Sequence, residues 1–216
     1  MTNNNMIFIA NWKMNGEKRH ISDINKTIKF SKISKNKKNQ IIYCPPFTLI
    51  SIIKNKLKNT NIKVGAQNIH QLNDYGAFTG SVNSKLIKSV GCDYVIIGHS
   101  EIRNQENDSI INKKIQSALK EKLKVIFCIG ETYKEKKNNT TLKVLKKQIT
   151  VALKNVKKIN NIIFAYEPRW AIGSGKIPKI PELRNNFNGI SKIVNKLKKK
   201  QKFKIIYGGS VNSKNL

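Results

Sequence analysis

The chain has 216 residues, of which 39% are hydrophobic, so it is long enough to bury a substantial core. Its formal net charge is +30, from 42 lysines and arginines against 12 aspartates and glutamates. Such a charge is typical of proteins that bind nucleic acid or an anionic surface. The basic residues are nearly all lysines, spread over every predicted helix without an aromatic array to stack bases. We therefore attribute the charge to compositional drift and expect no specific nucleic-acid partner, only non-specific polyanion binding at low salt.

The cysteines and the apolar runs indicate where the protein works. Cys44, Cys92 and Cys128 are widely spaced within apolar runs and form no CxxC pair, which favours a reducing compartment over a disulfide framework. The N-terminus carries no signal-like apolar stretch, and no apolar run approaches the roughly 20 residues that span a bilayer. We expect a cytoplasmic protein that does not bind membranes.

Short apolar runs alternate with stretches of helical periodicity along the whole chain. The predicted strands are, in order, Met6–Ala10, Ile41–Cys44, Ile62–Ala66, Asp93–Ile97, Lys124–Cys128, Ile162–Tyr166 and Phe203–Tyr207. The predicted helices that separate them are Lys18–Ser31, Phe47–Leu57, Ser84–Ser89, Asn107–Lys122, Leu142–Val156 and Pro181–Lys199. Because the strands are apolar throughout, both of their faces should be covered, which favours a parallel sheet with crossover helices. No linker interrupts the pattern, so we expect a single domain over residues 1–216, either a doubly wound sheet or a closed barrel.

Polar residues suited to chemistry follow the carboxyl ends of four predicted strands. They are Asn11 and Lys13 after the first, His99 and Glu101 after the fourth, Glu167 after the sixth, and Gly208, Gly209 and Ser210 after the seventh. Sites in parallel α/β folds are built at this edge. Contributions from strands so far apart in the chain converge more naturally in a barrel than in an open sheet, so the barrel is favoured.

Taken singly, these residues allow simpler interpretations. Lys13 can be one more solvated lysine, and His99 can be a hydrogen-bonded core histidine. The glycine before His99 and the Ser-Glu after it favour a tight strand-to-helix turn, where the helix dipole would keep the imidazole neutral. Glu101 is interpreted as structural or auxiliary. Glu167, a rare carboxylate between an apolar strand and a proline, is hard to explain as a surface residue.

The segment after Glu167 has the composition of a mobile lid. Pro168 ends the strand because it cannot donate to a ladder, and Trp170 with small residues and glycines follows. Such a segment can move as a unit over a site that must exclude water. Gly173-Ser174-Gly175 and Gly208-Gly209-Ser210 also offer backbone N–H groups to an anion such as phosphate.

Seven motifs together resemble the triosephosphate isomerase family, and they occur in the family's order from residue 7 to the C-terminus. They are Asn11-Trp12-Lys13-Met14-Asn15-Gly16, Gly65-Ala66-Gln67-Asn68, Gly76-Ala77-Phe78-Thr79-Gly80, Ile97-Gly98-His99-Ser100-Glu101, Cys128-Ile129-Gly130-Glu131-Thr132, Ala165-Tyr166-Glu167-Pro168 and Tyr207-Gly208-Gly209-Ser210-Val211-Asn212. The resemblance implies a (β/α)8 TIM barrel that interconverts dihydroxyacetone phosphate and D-glyceraldehyde 3-phosphate in glycolysis and gluconeogenesis, without cofactor or metal.

The resemblance also assigns roles to residues of this chain. It implies that Glu167 moves a proton between two substrate carbons through an enediolate and that neutral His99 polarises the carbonyl. Lys13 would supply positive charge, and Asn11 would help to hold the substrate. The residues implied to bind the phosphate are Gly173, Gly208, Gly209 and Ser210.

The family's homodimer is implied to form through the loop Tyr75–Gly80, from which Thr79 would reach the neighbouring subunit's site. This sequence departs from the family there, because Ser81 stands where a glutamate is usual. Ile102 likewise replaces an arginine after Glu101. In the lid, Arg169 replaces a small apolar residue, and Lys176-Ile177-Pro178 replaces the usual far hinge.

The chain ends at Leu216, before the family's eighth strand and last helix, so we expect a barrel without those elements. We favour a sequence that is a fragment over a protein that closes its barrel by another route. Two other functions stay open on the sequence. One is a basic binding module for RNA or another polyanion that has lost catalysis. The other is a barrel phosphosugar isomerase or aldolase of different specificity, although neither a Schiff-base lysine at a strand end nor a histidine cluster argues for an aldolase.

Overall fold

The computed structural model describes residues 6–33 and 38–212. The first five residues, which we expected to hold no signal, and the chain end at Leu216 lie outside these ranges. The described strands are β1 Ile7–Asn11, β2 Gln40–Cys44, β3 Lys63–Ala66, β4 Tyr94–Ile97, β5 Lys124–Ile129, β6 Ile162–Tyr166 and β7 Lys204–Tyr207. The described α-helices are α1 Ile24–Lys32, α2 Ile50–Lys56, α3 Ser84–Ser89, α4 Asp108–Lys120, α5 Tyr133–Lys137, α6 Thr141–Ala152 and α7 Ile180–Leu197. Every predicted strand is present, with its ends within one residue of the prediction.

The helices follow the prediction less closely than the strands, and α6 ends at Ala152 rather than at the predicted Val156. The predicted helix Lys18–Ser31 divides into a 3-10 segment, Lys18–Asp23, and α1, and a 3-10 turn likewise precedes α2. Helix α5 was not predicted, because its sequence has no apolar periodicity. It begins at a capping box, in which the Thr132 hydroxyl accepts from the Glu135 N–H and the Glu135 carboxylate accepts from the Thr132 N–H at 2.7 Å. The Thr-x-x-Glu spacing in the sequence predicts a helix that begins here.

The described chain divides into two compact units. Unit 1 comprises the residues up to Ile96 together with Ser117–Lys124, and unit 2 comprises Ile97–Gln116 and the residues from Val125 onward. Within each unit, neighbouring strands are parallel and follow one another in chain order.

The register of unit 2 aligns the ends of its three strands. Ile129 of β5 is paired with Tyr166 of β6, which is paired with Tyr207 of β7. The next residue of each strand, Gly130, Glu167 and Gly208, therefore follows at the same edge. This row places a carboxylate between two glycines.

The core confirms that the central strands are covered on both faces. All five residues of β6 are buried, as are all four of β4, and Phe164 packs edge-on against Phe127 at 5.9 Å between ring centroids. Burying a side chain of this size contributes about 1.5–3 kcal/mol. Strands β1 and β7 are only half-buried; in the described part of the chain β7 pairs with β6 alone.

The three cysteines are buried, and they form no disulfide. Burial raises the pKa of the Cys92 thiol to about 12 and raises the pKa of Cys44 further. Both thiols are therefore protonated near neutral pH and unreactive. In the described residues no helix is both long and apolar enough to cross a membrane.

Candidate active site

Glu167 is held at the end of β6 by a continuation of the strand ladder. Its N–H donates to the carbonyl of Ile129 at 2.7 Å, and the N–H of Arg169 donates to the carbonyl of Glu131 at 2.9 Å. Pro168 lies between them and is buried, as expected for a residue that ends a strand. The carboxylate is thus mounted on rigid backbone although it lies outside the strand.

His99 faces this carboxylate. The ring Nε2 lies 3.7 Å from the Glu167 Oε2, and the two side chains are 9% and 12% exposed. The N–H of Glu101 donates to His99 Nδ1 at 3.3 Å. Because Nδ1 accepts a hydrogen bond, the proton of a neutral imidazole sits on Nε2, the nitrogen that faces Glu167.

The cause that we expected for a neutral His99 is wrong. Residues 100–105 form successive turns, in which the Ile102 N–H donates to the His99 carbonyl at 3.0 Å, and the next α-helix begins only at Asp108. His99 therefore does not lie at an α-helix N-terminus, and the backbone N–H of Glu101 favours the neutral tautomer instead. Glu101 also places Oε2 3.6 Å from His99 Nδ1, which fits an auxiliary role.

The glycines that follow β5 and β7 enclose the Glu167 residue from two sides. A β-carbon at Gly208 would stand 2.9 Å from the Glu167 Cγ and 3.0 Å from its Oε1. A β-carbon at Gly130 would stand 2.5 Å from the Glu167 carbonyl carbon. Only glycine leaves room for the base at both positions. The structure thus places Gly208 against the Glu167 side chain, and the Gly208 N–H, which we predicted to face an anion, donates to the Tyr166 carbonyl at 3.0 Å. Gly209 packs beside Tyr207 and Ala171.

The first half of the lid is anchored to neighbouring residues of unit 2, the unit to which it belongs. The Trp170 indole N–H donates to Glu131 Oε1 at 2.8 Å, and Lys136 Nζ lies 3.6 Å from the centroid of the Trp170 ring. The Ser210 hydroxyl donates to the carbonyl of Ala171 in a short hydrogen bond. The Arg169 guanidinium, a departure from the family pattern, donates to Asn104 Oδ1 at 2.7 Å.

The tip of the lid is exposed. Gly173 and Gly175 adopt left-handed backbone conformations, with φ of 68° and 70°, and no atom lies within 4 Å of where their β-carbons would be. The Ser174 hydroxyl donates back to the Trp170 carbonyl at 2.9 Å. A fixed first half and an open, glycine-rich tip suit a segment that closes by a hinge.

Glu131 is a functional residue that the sequence interpretation left without a role. It is fully buried, and its carboxylate accepts hydrogen bonds from the Tyr166 hydroxyl and the Trp170 indole. The Tyr166 hydroxyl in turn accepts from Asn186 at 2.8 Å, and burial together with Glu131 raises the pKa of Tyr166. The sequence feature that could have predicted a role for Glu131 is its position after a strand end, in Gly130-Glu131-Thr132.

Arg103 is a second missed residue, and it fixes the turn after His99. Its guanidinium donates to Asp108 Oδ1 and to the carbonyl of Cys128, both at 2.8 Å, and its side chain is almost fully buried. A charged hydrogen bond of this kind contributes about 1.5–3 kcal/mol. Arg103 thus ties the His99 segment to the end of β5.

In unit 1, Asn11 and Lys13 form a local structure of their own. The Asn11 side-chain oxygen accepts from the Lys13 N–H at 3.0 Å, and Gln67 donates to the carbonyls of Lys13 and Cys44 at 2.8 and 2.9 Å. Lys13 has φ of 53°, a conformation that is costly for a residue with a side chain and is found at functional sites. Among the described residues, no group of three His, Cys, Asp or Glu side chains could hold a metal ion.

Comparison with known proteins decides the family. The family model described as triosephosphate isomerase matches residues 6–216. The chain belongs to the triosephosphate isomerase family. Its relatives include the triosephosphate isomerases of Alkaliphilus oremlandii (strain OhILAs), at 38% identity, and Aquifex aeolicus (strain VF5), at 40%, each over 97% of this chain and 86% of the relative. The crystal structure of triosephosphate isomerase from Bartonella henselae is similar with a TM-score of 0.85 and 33% identity, over 96% of this chain and 84% of that one.

Membership in the family confirms two predictions. The fold is a TIM barrel, of which the described residues contain seven strands, and the chain is an isomerase of the triosephosphate isomerase family.

Proposed function

We propose that Glu167 and His99 carry out the proton transfers of triosephosphate isomerase in this chain, interconverting dihydroxyacetone phosphate and D-glyceraldehyde 3-phosphate. The observation that carries the proposal is the Glu167 carboxylate, 3.7 Å from the Nε2 of a histidine whose Nδ1 accepts a backbone hydrogen bond. A glutamate base beside a neutral histidine is the established mechanism of this enzyme family, and the geometry here is compatible with it.

The reaction moves one proton between two carbons and one proton between two oxygens of the substrate, with no change of oxidation level in the enzyme. Glu167 removes a proton from the carbon beside the substrate carbonyl, and the electron pair moves onto the carbonyl oxygen to give an enediolate. The N–H of His99 donates a hydrogen bond to that oxygen as its charge develops. Glu167 then returns the proton to the neighbouring carbon, while the hydroxyl protons exchange through the imidazole.

The remaining predicted site residues bind the substrate in this proposal. Asn11 helps to hold the triose, and Lys13 supplies positive charge. The constrained Lys13 backbone and its hydrogen bond to the Asn11 side chain support these roles. The phosphate is bound by the backbone N–H groups of Gly173, Gly209 and Ser210. Gly208 shapes this turn, since its own N–H donates to the Tyr166 carbonyl at 3.0 Å. Lid residues Pro168–Lys176 close over the enediolate and exclude water, which would otherwise promote loss of phosphate.

A coupled isomerase assay on the full chain and on two variants tests the proposal. Glu167→Gln removes the base and is expected to lower kcat by about 10³-fold, and His99→Gln by about 10²-fold, within the range of acid–base catalysis. Glu17→Gln, in an exposed ion pair, serves as control and should retain the parental kcat. If activity is undiminished in both variants, Glu167 and His99 are not the catalytic residues.

We also propose that the chain forms a homodimer through the loop Tyr75–Gly80. Tyr75 is 71% exposed and Phe78 is 47% exposed, an unusual concentration of apolar surface on a loop. Two contacts hold the loop in its conformation. The centroids of the Phe78 and His70 rings lie 4.9 Å apart, and the Phe78 N–H donates to the Gly76 carbonyl. A preformed aromatic protrusion suits insertion into a second copy of the chain, where Thr79 would reach the partner's site.

Light scattering during size exclusion tests the dimer. Phe78→Glu places a charge in the proposed contact and should shift the mass to that of the monomer. The control, Tyr133→Glu, changes an aromatic side chain that is also exposed but lies outside the loop. A parental protein that is monomeric at assay concentration would contradict the proposal.

The compartment follows from the reaction. Glycolysis and gluconeogenesis take place in the cytoplasm, and we place the chain there. The three buried thiols, which form no disulfide, are compatible with a reducing compartment.

A further inference from the structure

A buried glutamine holds the residue that follows β5. Gln148 lies on α6, is 8% exposed, and makes two hydrogen bonds to Gly130 alone. Its Oε1 accepts from the Gly130 N–H and its Nε2 donates to the Gly130 carbonyl, both at 3.0 Å. The side-chain amide thus satisfies both backbone groups of a residue that lies beyond the strand. Gly130 is fixed as firmly as a residue within a sheet.

Gly130 is in turn packed directly against the backbone of Glu167. A β-carbon at Gly130 would overlap the carbonyl oxygen of Glu167. On either side of this contact, Ile129 accepts from the Glu167 N–H, and Glu131 accepts from the Arg169 N–H. Because the two backbones are in contact with no intervening space, a displacement of Gly130 must displace the Glu167 peptide.

We infer that Gln148 is a positioning residue for the catalytic base: it acts through Gly130 to fix the backbone from which the Glu167 carboxylate projects. The inference rests on the proposed role of Glu167. Gln148 itself belongs to the outer helix α6 and is not part of the reacting set. Its effect is geometric, and a displacement of a base by about 1 Å can lower the rate about 100-fold.

Steady-state kinetics on two variants test the inference. Gln148→Leu removes both hydrogen bonds, and Gln148→Glu keeps the acceptor for the Gly130 N–H but loses the donor to its carbonyl. Both should lower kcat by roughly 10- to 100-fold and change KM by less than about threefold, because substrate binding does not depend on the orientation of Glu167. Gln116→Leu is the matched control, since Gln116 is an exposed helical glutamine bonded to Asn112, and it should retain the parental kcat.

A merely structural role predicts a different result. It would lower the unfolding temperature of the Gln148 variants while leaving kcat unchanged at temperatures where they are folded. Equal kcat in the parent and a folded Gln148 variant therefore overturns the inference. If Gln148→Leu does not fold, Gln148→Glu decides.

A second readout separates this inference from the proposed function. A phosphorylated three-carbon epoxide reacts with a correctly placed carboxylate: the carboxylate oxygen forms an ester bond to an epoxide carbon, the ring C–O bond breaks, and the alkoxide takes up a proton. Mass spectrometry gives the rate of modification of Glu167 without turnover. The rate should fall at least about tenfold in both Gln148 variants and be unchanged in Gln116→Leu. If the parent lacks isomerase activity, the proposed function fails, while a modification rate unchanged by Gln148→Leu overturns the positioning role in either case.

Discussion

At the scale of single residues, the position of the Glu167 carboxylate depends on two neighbouring glycines that have no β-carbon. Gly130 and Gly208 border it where β-carbons would collide with its backbone and its side chain, respectively. Neither contact involves a charge or a hydrogen bond of the glycine, so an inventory of polar groups does not reveal them. The base is therefore positioned by the close packing of these two glycines.

The substitution Gly208→Ala tests this view of Glu167. The new β-carbon would stand 2.9 Å from Glu167 Cγ, closer than side chains approach, so the flexible carboxylate should move while the fold persists. We expect kcat to fall by roughly 10- to 100-fold with little change in the melting temperature. Gly189→Ala on α7, which crowds only the Leu142 side chain, is the control for kcat. A rise in KM at constant kcat would show instead that Gly208 acts mainly through the phosphate.

At the scale of elements, the lid is attached by contacts that differ in burial. Trp170 is held by the fully buried Glu131, whereas Arg169 reaches the exposed Asn104. The Trp170–Glu131 hydrogen bond is buried in the core. A family member with a small apolar residue in place of Arg169 does not make the hydrogen bond to Asn104. Arg169 therefore adds a tether to the first half of the lid.

A double-mutant cycle with Arg169→Ala and Asn104→Ala measures that tether. The hydrogen bond is short but solvent-accessible, so we expect a coupling of about 0.5 kcal/mol in the free energy of unfolding. The exposed Arg19–Glu17 pair, removed in the same way, should show no measurable coupling. Additive effects of Arg169→Ala and Asn104→Ala would mean that the tether does not form in solution. Trp170 fluorescence in a Trp12→Phe background reports whether the lid is loosened.

At the scale of the whole molecule, the charge of +30 and the family's fold have separate origins. Most lysines of the described helices are exposed, where a charge costs little, and Lys114, which is buried, is paired with Glu106. The strands retain the apolar residues that a barrel requires. The two compact units each contain one of the two tryptophans, Trp12 and Trp170.

These tryptophans test the prediction that residues 1–216 form a single domain. Trp12→Phe and Trp170→Phe each leave one fluorophore, in unit 2 and unit 1 respectively. If the chain is one cooperative domain, urea unfolding followed by fluorescence should coincide with far-UV circular dichroism in each variant. Separated midpoints in either variant would show that the units unfold independently.

The sequence alone determined the strands, the order of the site motifs and the family. For the central strands β4, β5 and β6, continuous apolar runs ended by glycine or by Glu167-Pro168 locate the strands within a residue, because burial on both faces leaves no polar position inside them. The same reasoning located Glu167 and His99, each at the first polar position after such a run. Helix α5 was missed because a capping box, rather than an apolar stripe, defines it.

Only the tertiary structure decided how those residues are held. The N–H of Glu101 decides which nitrogen carries the proton of a neutral His99, whereas the expected α-helix does not begin there. Glu131 and Gln148 gain their roles from partners that packing brings to them from other elements. Hydrophobic periodicity shows which side chains are buried, but the partner of a buried polar group is set by where the strands and helices meet, and no spacing in the sequence records that.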